Sequence, residues 1–140
     1  MVRCFNCQIK IDLSEETCPF CGRAPFDGEI DEFAAGDGVL LRYNGTKKDV
    51  TLPADLHTVG EQSFDCTAVR SVIIPEGYTK VEDAAFLGCT SLNYVEFPAS
   101  LKKIGSHAFS ECPYLREVTL PRSCKVDKTA FDPETKISRK

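Results

Sequence analysis

The sequence repeats itself every 22 or 23 residues, and this period restricts the folds that the chain can adopt. A proline and a phenylalanine recur at that interval, at Pro53, Pro75, Pro98 and Pro121 and at Phe64, Phe86, Phe109 and Phe131. A fixed period of roughly 20 to 50 residues is typical of solenoids and other repeat architectures. One such unit cannot bury its apolar side alone, so the units must stack and share a continuous core.

Each repeat unit has two halves with different patterns. The first half alternates apolar and polar residues before its proline, as in Val95-Glu96-Phe97, which is typical of a short strand. The second half runs from a valine or isoleucine through a small residue and phenylalanine to a cysteine, with a spacing that favours a short helical turn. The sequence therefore predicts an α/β solenoid of about four coils, built from short strands and short helical turns.

Four of the eight cysteines fall within this repeat. Cys66, Cys89 and Cys112 each precede an apolar residue by three positions, so we align them in one column. Cys124 aligns with an apolar column made of Leu56, Tyr78 and Leu101. Free cysteine behaves as a small buried hydrophobic residue, and we expect these side chains to fill the core.

The other four cysteines form two C-x-x-C pairs, Cys4 with Cys7 and Cys18 with Cys21. Such pairs present four thiolates, which suit tetrahedral Zn²⁺ at about 2.3 Å. A segment this short cannot bury a sufficient core without a metal or disulfides. Four protein ligands close the site, so we predict one structural Zn²⁺. Redox pairs and disulfides are the competing interpretations, and redox pairs would require a thioredoxin-like context that the sequence lacks.

Both parts of the chain resemble known families. The stretch "VEFPASLKKIGSHAFSECPYL" resembles the repeat of BspA-like bacterial leucine-rich repeat proteins, L-x-x-I-x-I-P followed by I-G-x-x-A-F-x-x-C-x-x-L. The "CPFCG" segment resembles the second knuckle of small bacterial zinc ribbons, although Gln8 follows the first knuckle where a glycine is often found. The repeat resemblance implies a binding scaffold, not an enzyme.

These patterns divide the chain into a zinc ribbon at 1–23, an acidic linker at 24–37 and a repeat domain at 38–140. Asn44-Gly45 is a hairpin turn signal, so we predict that Val39 to Tyr43 pairs with Asp49 to Leu52 and that this hairpin covers the first coil. The C-terminal "FDPETKISRK" departs from the repeat, and we expect either a cap or a frayed tail.

The most direct functional prediction is a non-catalytic module that binds a protein partner. Solenoids commonly bind partners on a strand face, and alternation places Ile73, Tyr94 and Glu96 on the side that points away from the core. Plain solvated strand surface is the alternative interpretation. The net charge of −4 argues against a nucleic-acid partner, whose binding surface is usually basic.

The sequence also bears on the cellular location of the protein. No apolar run approaches the ~20 residues of a membrane span, and the N-terminus has no apolar signal-peptide region. We therefore expect a cytoplasmic protein, with the extracellular surface as the alternative. Two alternative functions stay open. The chain could be a nucleic-acid-binding or regulatory protein of the zinc-ribbon type, or it could be an adhesin-type repeat fragment from the cell surface.

Overall fold

The computed structural model describes residues 2–12, 14, 16–23 and 31–140, and within them the chain is built from short strands and turns. The strands are β1 (Val2–Arg3), β2 (Lys10–Ile11), β3 (Phe33–Gly36), β4 (Val39–Tyr43), β5 (Asp49–Thr51), β6 (Thr58–Val59), β7 (Ser71–Ile73), β8 (Lys80–Val81), β9 (Tyr94–Glu96), β10 (Lys103–Ile104), β11 (Glu117–Leu120), β12 (Lys125–Val126) and β13 (Lys136–Arg139).

The strands follow the repeat period, and successive coils pair in parallel. One sheet has the order β12-β10-β8-β6-β4-β3 and another has the order β5-β7-β9, while β11 pairs with β13. Val72 pairs with Val50 on one side and Val95 on the other, so equivalent residues of successive repeats lie directly over each other. This register brings each apolar column of the sequence into one buried row.

The solenoid has about five turns, one more than predicted. The parallel run of β4, β6, β8, β10 and β12 contains one strand from each turn. The four predicted units gain one strand at each end: β4 pairs in parallel with β6, and β13 pairs in parallel with β11. Residues 136–139 are therefore not a frayed tail, because they add one strand to β11 at the C-terminal end.

The predicted helical turns are wrong, and so is the α/β class, since the described residues contain no helix. Left-handed backbone interrupts each turn segment two residues before its phenylalanine, at Gln62, Ala84 and His107. The amide hydrogen bonds in these segments also run between coils, as from Phe64 N to Ala85 O at 2.8 Å. A helix needs those amides for its own i−4 carbonyls. Across the described ranges, no helix is long and apolar enough to cross a bilayer.

A stack of aromatic rings forms the centre of the core. Tyr43, Phe64, Phe86, Phe109 and Phe131 lie one above another with successive ring centroids 5.1, 4.7, 4.8 and 5.0 Å apart. These separations are close to the ~4.8 Å spacing of hydrogen-bonded strands. The coil spacing thus sets the ring spacing, and the rings stack with the offset that aromatic pairs prefer.

The cysteine column is only partly as predicted. Cys89 and Cys112 are buried, but Cys66 is exposed. Its amide donates to Leu87 O, as the amide of Gly88 donates to Ser110 O, and both residues have positive φ. Cys66 therefore occupies the position of Gly88, because the first repeat is one residue shorter after its phenylalanine. The fourth repeat cysteine, Cys124, is buried as expected.

The N-terminal hairpin exists, but with different strands. β3 and β4 pair antiparallel around Asp37 and Gly38, whose φ values of 52° and 79° fit the mirror-image turn that Asp-Gly favours. β4 and β5 do not pair with each other, so Asn44-Gly45 is not a hairpin turn. Residues 33–36, which the sequence assigned to the linker, are thus part of the sheet, and residues 24–30 lie outside the described residues.

Ser63 is the polar member of a column that is otherwise alanine, and we predict that Ser63→Ala stabilises the protein. Its hydroxyl is fully buried without a hydrogen-bond partner among the described residues, where Ala85, Ala108 and Ala130 occupy the equivalent positions. Removing an unsatisfied buried hydroxyl should raise the free energy of unfolding by about 1 kcal/mol. Urea denaturation measures the change, with exposed Ser123→Ala as the control. A loss of stability in Ser63→Ala would contradict the prediction.

Candidate functional site

The four N-terminal cysteines converge on one point. Their Sγ atoms all lie within 4.8 Å of one another. Cys4 Sγ lies 3.8 Å from Cys21 Sγ, and Cys7 Sγ lies 3.7 Å from Cys18 Sγ. Four thiolates bound at about 2.3 Å to one ion lie about 3.8 Å apart in a tetrahedron. The cluster is therefore compatible with a metal site, with residues from both C-x-x-C pairs as its ligands.

Two matching turns place these side chains. The amide of Gln8 donates to Cys4 O, and the amide of Gly22 donates to Cys18 O, each at 2.9 Å. Gln8 and Gly22 both have left-handed backbone, with φ of 64° and 79°. Glycine adopts this conformation readily, whereas Gln8 does so while its side-chain amide donates to Phe5 O at 2.9 Å. The first knuckle thus has the geometry of the second without the glycine.

Burial sets the electrostatics of the cluster. Cys4, Cys7 and Cys18 are buried and Cys21 is half-buried. Burial raises the pKa of the Cys4 and Cys7 thiols. It opposes ionisation of Cys21 as well, but donors from the Arg23 backbone and other neighbours outweigh it and lower that pKa. A bound dication would reverse this balance, since it supplies the positive charge that buried thiolates need.

The segment that carries these cysteines, which we call the cysteine module (the described residues within 2–23), packs directly on the solenoid. Its apolar cluster includes Ala34 of β3 and contacts Leu41 of β4. The closest approach is at Gly36, where a Cβ atom would lie 1.7 Å from Phe20 O. Only glycine leaves room for the second knuckle at this point of the strand.

A polar network joins the module to the start of the solenoid. Asn6, between two of the cysteines, is buried, and its side chain donates to Asp31 at 2.9 Å and accepts from the Asp31 amide. Arg23 forms an ion pair with Asp31 at 2.9 Å, and hydrogen bonding to the Arg23 side chain lowers the pKa of this carboxyl. The Asn44 side chain donates to the carbonyls of Asn6 and Asp31. Both knuckles are thereby fixed to the chain that flanks the first coil.

Sequence reasoning missed these docking residues. Gly36 lay in the predicted linker, and Asn44 was interpreted as a turn residue. Asn6 was the one residue that could have indicated this contact from the sequence. Its side-chain amide lies between two cysteines and can both donate and accept hydrogen bonds with backbone groups. Its partner Asp31 is 25 residues away in sequence, so no local pattern joins the two.

The predicted partner surface is exposed on the sheet formed by β5, β7 and β9. Tyr94 is 50% and Ile73 is 37% exposed, and Glu96, the register partner of Ile73, is exposed too. The residues between them, Val72 and Val95, are buried. Strand alternation therefore placed these three side chains correctly on the outer face, and their role stays a prediction.

Neither histidine forms a site with a cysteine nucleophile. His57 and His107 are exposed, and their ring nitrogens lie near Thr58 and Ser110 hydroxyls. The neighbouring Cys89 thiol and burial raise the pKa of Cys112, so this thiol stays protonated. The described residues thus show a metal-ligand cluster and an open strand surface.

Gly36→Ala should release the cysteine module from the solenoid. A methyl group placed against the Phe20 carbonyl must displace backbone, and overpacking of this kind costs about 1–3 kcal/mol. Hydrogen exchange should therefore rise in β1 and β2 but not in β7 and β9. Thr119→Ala, an exposed strand change elsewhere, is the control. Unchanged exchange in β1 and β2 would show that the contact at Gly36 does not hold the module.

Comparison with known proteins agrees with the repeat register. The fold is similar to a T. pallidum leucine-rich repeat protein, with a TM-score of 0.65 and 25% identity over 72% of this chain and 56% of that one. A leucine-rich repeat protein from Bacteroides capillosus has a TM-score of 0.68 and 24% sequence identity, and the match covers 73% of this chain and 86% of that one. A leucine-rich repeat protein from Bacteroides ovatus has a TM-score of 0.58 and 34% sequence identity, and the match covers 61% of this chain and 23% of that one. This chain thus spans little more than half the length of the T. pallidum protein.

A search of curated proteins found no match. The family model of the BspA type leucine rich repeat region matches residues 43–138 in six copies and does not extend over the cysteine module. The matched region is more than half of the chain and coincides with the solenoid. The protein therefore belongs to the BspA-type leucine-rich repeat family.

Proposed function

We propose that this protein is a non-catalytic protein-interaction module in which a zinc ribbon is anchored to a leucine-rich repeat scaffold. Leucine-rich repeat solenoids typically bind other proteins along an extended face of stacked strands. The observation that carries the proposal is the exposed aromatic and aliphatic pair, Tyr94 and Ile73, on such a face. In this assignment residues 1–23 are the ribbon, residues 24–37 join it to the scaffold and contain β3 of the hairpin, and residues 38–140 are the repeat domain.

The partner surface consists of Ile73, Tyr94 and Glu96. Tyrosine is enriched among residues that dominate interface energies, because it buries a large rigid ring and retains a hydrogen-bonding group. The parallel register sets Ile73 opposite Glu96 and places Tyr94 one strand away from Ile73 on the same face. A partner chain could therefore contact an apolar side chain, an aromatic ring and a carboxylate at once.

The ribbon would hold one Zn²⁺ through Cys4, Cys7, Cys18 and Cys21. The sulfur separations of 3.7 and 3.8 Å support this assignment, since they match a tetrahedral site for an ion of this size. With four protein ligands the ion would be structural and would stabilise the module. The ion would also help to hold the module on the scaffold, because the two knuckles that it binds carry Asn6 and Phe20, which contact the start of the solenoid.

We place the protein in a reducing compartment, in keeping with its buried thiols. Cys89 Sγ donates to Phe64 O at 3.0 Å and Cys112 Sγ donates to Phe86 O at 3.3 Å. Each thiol thus satisfies a carbonyl of the preceding coil, a role that a disulfide sulfur cannot fill because it has no proton to donate.

Zinc content tests the ribbon. We expect native mass spectrometry of the full chain to show one bound Zn²⁺, and Cys7→Ser to lose it because three thiolates bind far more weakly than four. Cys66→Ser is the matched control, since this cysteine is exposed and outside the cluster. Equal zinc content in Cys7→Ser and the unmodified chain would refute the assignment.

A photo-crosslinking residue at position 94 tests the partner surface. We expect it to capture a protein that the same residue at position 114 does not, although Tyr114 is also exposed. Tyr94→Ala should then weaken the affinity for that protein by roughly tenfold or more, as expected for a central interface aromatic. An unchanged dissociation constant would remove the surface from the proposal.

A further inference from the structure

A cleft lies where the ribbon meets the solenoid, on a different sheet from the proposed partner surface. Its volume is about 670 Å³, within the roughly 300–1,000 Å³ of pockets that bind drug-sized ligands. The walls come from both modules: Arg3 and Lys10 belong to the ribbon, while Glu61 and Glu82 belong to turns of the first coils. Clefts between domains are a frequent place for ligand sites.

The floor of the cleft is apolar. Val39 and Leu41, on the outer side of β4, are only half-buried, and Ile9 of the ribbon lies beside them. Gly60 keeps this floor open, because a Cβ atom there would lie 3.1 Å from Val39 Cγ1 and 2.3 Å from Leu40 O. The chain therefore leaves uncovered aliphatic surface between two charged walls.

One wall is basic, and its charges have no carboxylate partner among the described residues. Arg3 and Lys10 are directly opposite each other in the β1–β2 pair, a placement that is unfavourable for like charges. The Arg3 guanidinium donates to Gln8 O at 2.6 Å, and the Arg42 guanidinium donates to Gln62 O at 3.3 Å. Both acceptors are neutral carbonyls, and no ion pair between described residues involves Arg3 or Lys10, so two positive charges line this wall, while Arg42 reaches to the Gln62 side.

The opposite wall is acidic. Glu61 and Asp65 follow β6, and Glu82 follows β8, where it pairs with Lys80 at 3.3 Å. None of the ion pairs between described residues joins this wall to the basic one. The ribbon side of the cleft therefore carries Arg3 and Lys10 and the solenoid side carries Glu61 and Asp65, so a ligand between them meets opposite charges on its two sides.

We propose that this cleft binds a short extended peptide segment in which an apolar residue is flanked by an acidic and a basic residue. The apolar side chain would lie on Val39 and Leu41, the carboxylate would face Arg3 and Lys10, and the cation would face Glu61. Alternate side chains of an extended chain are about 6.6 Å apart, so a peptide that crosses the cleft holds its two charges apart. A free amino acid carries both charges on one carbon and cannot.

A random heptapeptide display library, selected on the full chain, tests the proposal. We expect enriched peptides to share an apolar residue between an acidic and a basic one. Fluorescence polarisation with such a peptide should show at least tenfold weaker binding to Glu61→Lys, and replacing the basic residue of the peptide by glutamate should restore affinity for that variant. Glu134→Lys, an exposed charge change outside the cleft, should have no effect.

Either of two selection results would overturn the proposal: no enrichment above a selection on Val39→Gln, or enriched peptides that bind Glu61→Lys as tightly as the unmodified chain. Circular dichroism of each variant shows that the fold is retained. Tyr94→Ala separates this site from the partner surface, since it should leave peptide affinity unchanged. If it abolishes binding instead, the peptide lies on the strand surface and the cleft assignment fails while the proposed function stands.

Discussion

The structure depends on the hydrogen bonding of each coil to the next at the strand spacing. Parallel pairing in register, as between Val59, Val81 and Ile104, fixes equivalent residues of successive repeats about 4.8 Å apart. That distance also suits the stacking of flat rings, so the phenylalanine of each repeat packs on the next one. Backbone pairing and side-chain packing thus require the same translation, which explains why the period of the sequence is so regular.

A stack of this kind leaves an open face at each end, and the N-terminal end is covered in two layers. The β3–β4 hairpin adds an antiparallel strand beyond the first coil, and the cysteine module packs on that hairpin at Gly36 and Ala34. An open strand edge with unpaired backbone groups would invite association with other chains. The same packing leaves the inter-module cleft beside it, because the module contacts β3 and β4 at Ala34, Gly36 and Leu41 and leaves Val39 partly uncovered.

The repeat and the cysteine pairs could be predicted because each is a local pattern. The apolar columns, the outward position of Tyr94 and the convergence of the four N-terminal cysteines all follow from spacing alone. The helical turns could not be excluded in this way, since an Ala-Phe pair and a cysteine at helical spacing fit a helix as well as a turn. Left-handed residues such as Ala84 and Glu111 decide between them, and neither residue type signals that conformation.

The sequence by itself determined the solenoid, its core columns and the ligand set of a possible metal site, because repetition and cysteine spacing limit the backbone to few solutions. Only the tertiary structure decided the position of the cysteine module, the hairpin that receives it and the surroundings of Cys66. These depend on pairs far apart in the chain, such as Asn6 with Asp31 or Phe20 with Gly36. Such contacts form when two surfaces fit, and surface complementarity leaves no period in the sequence.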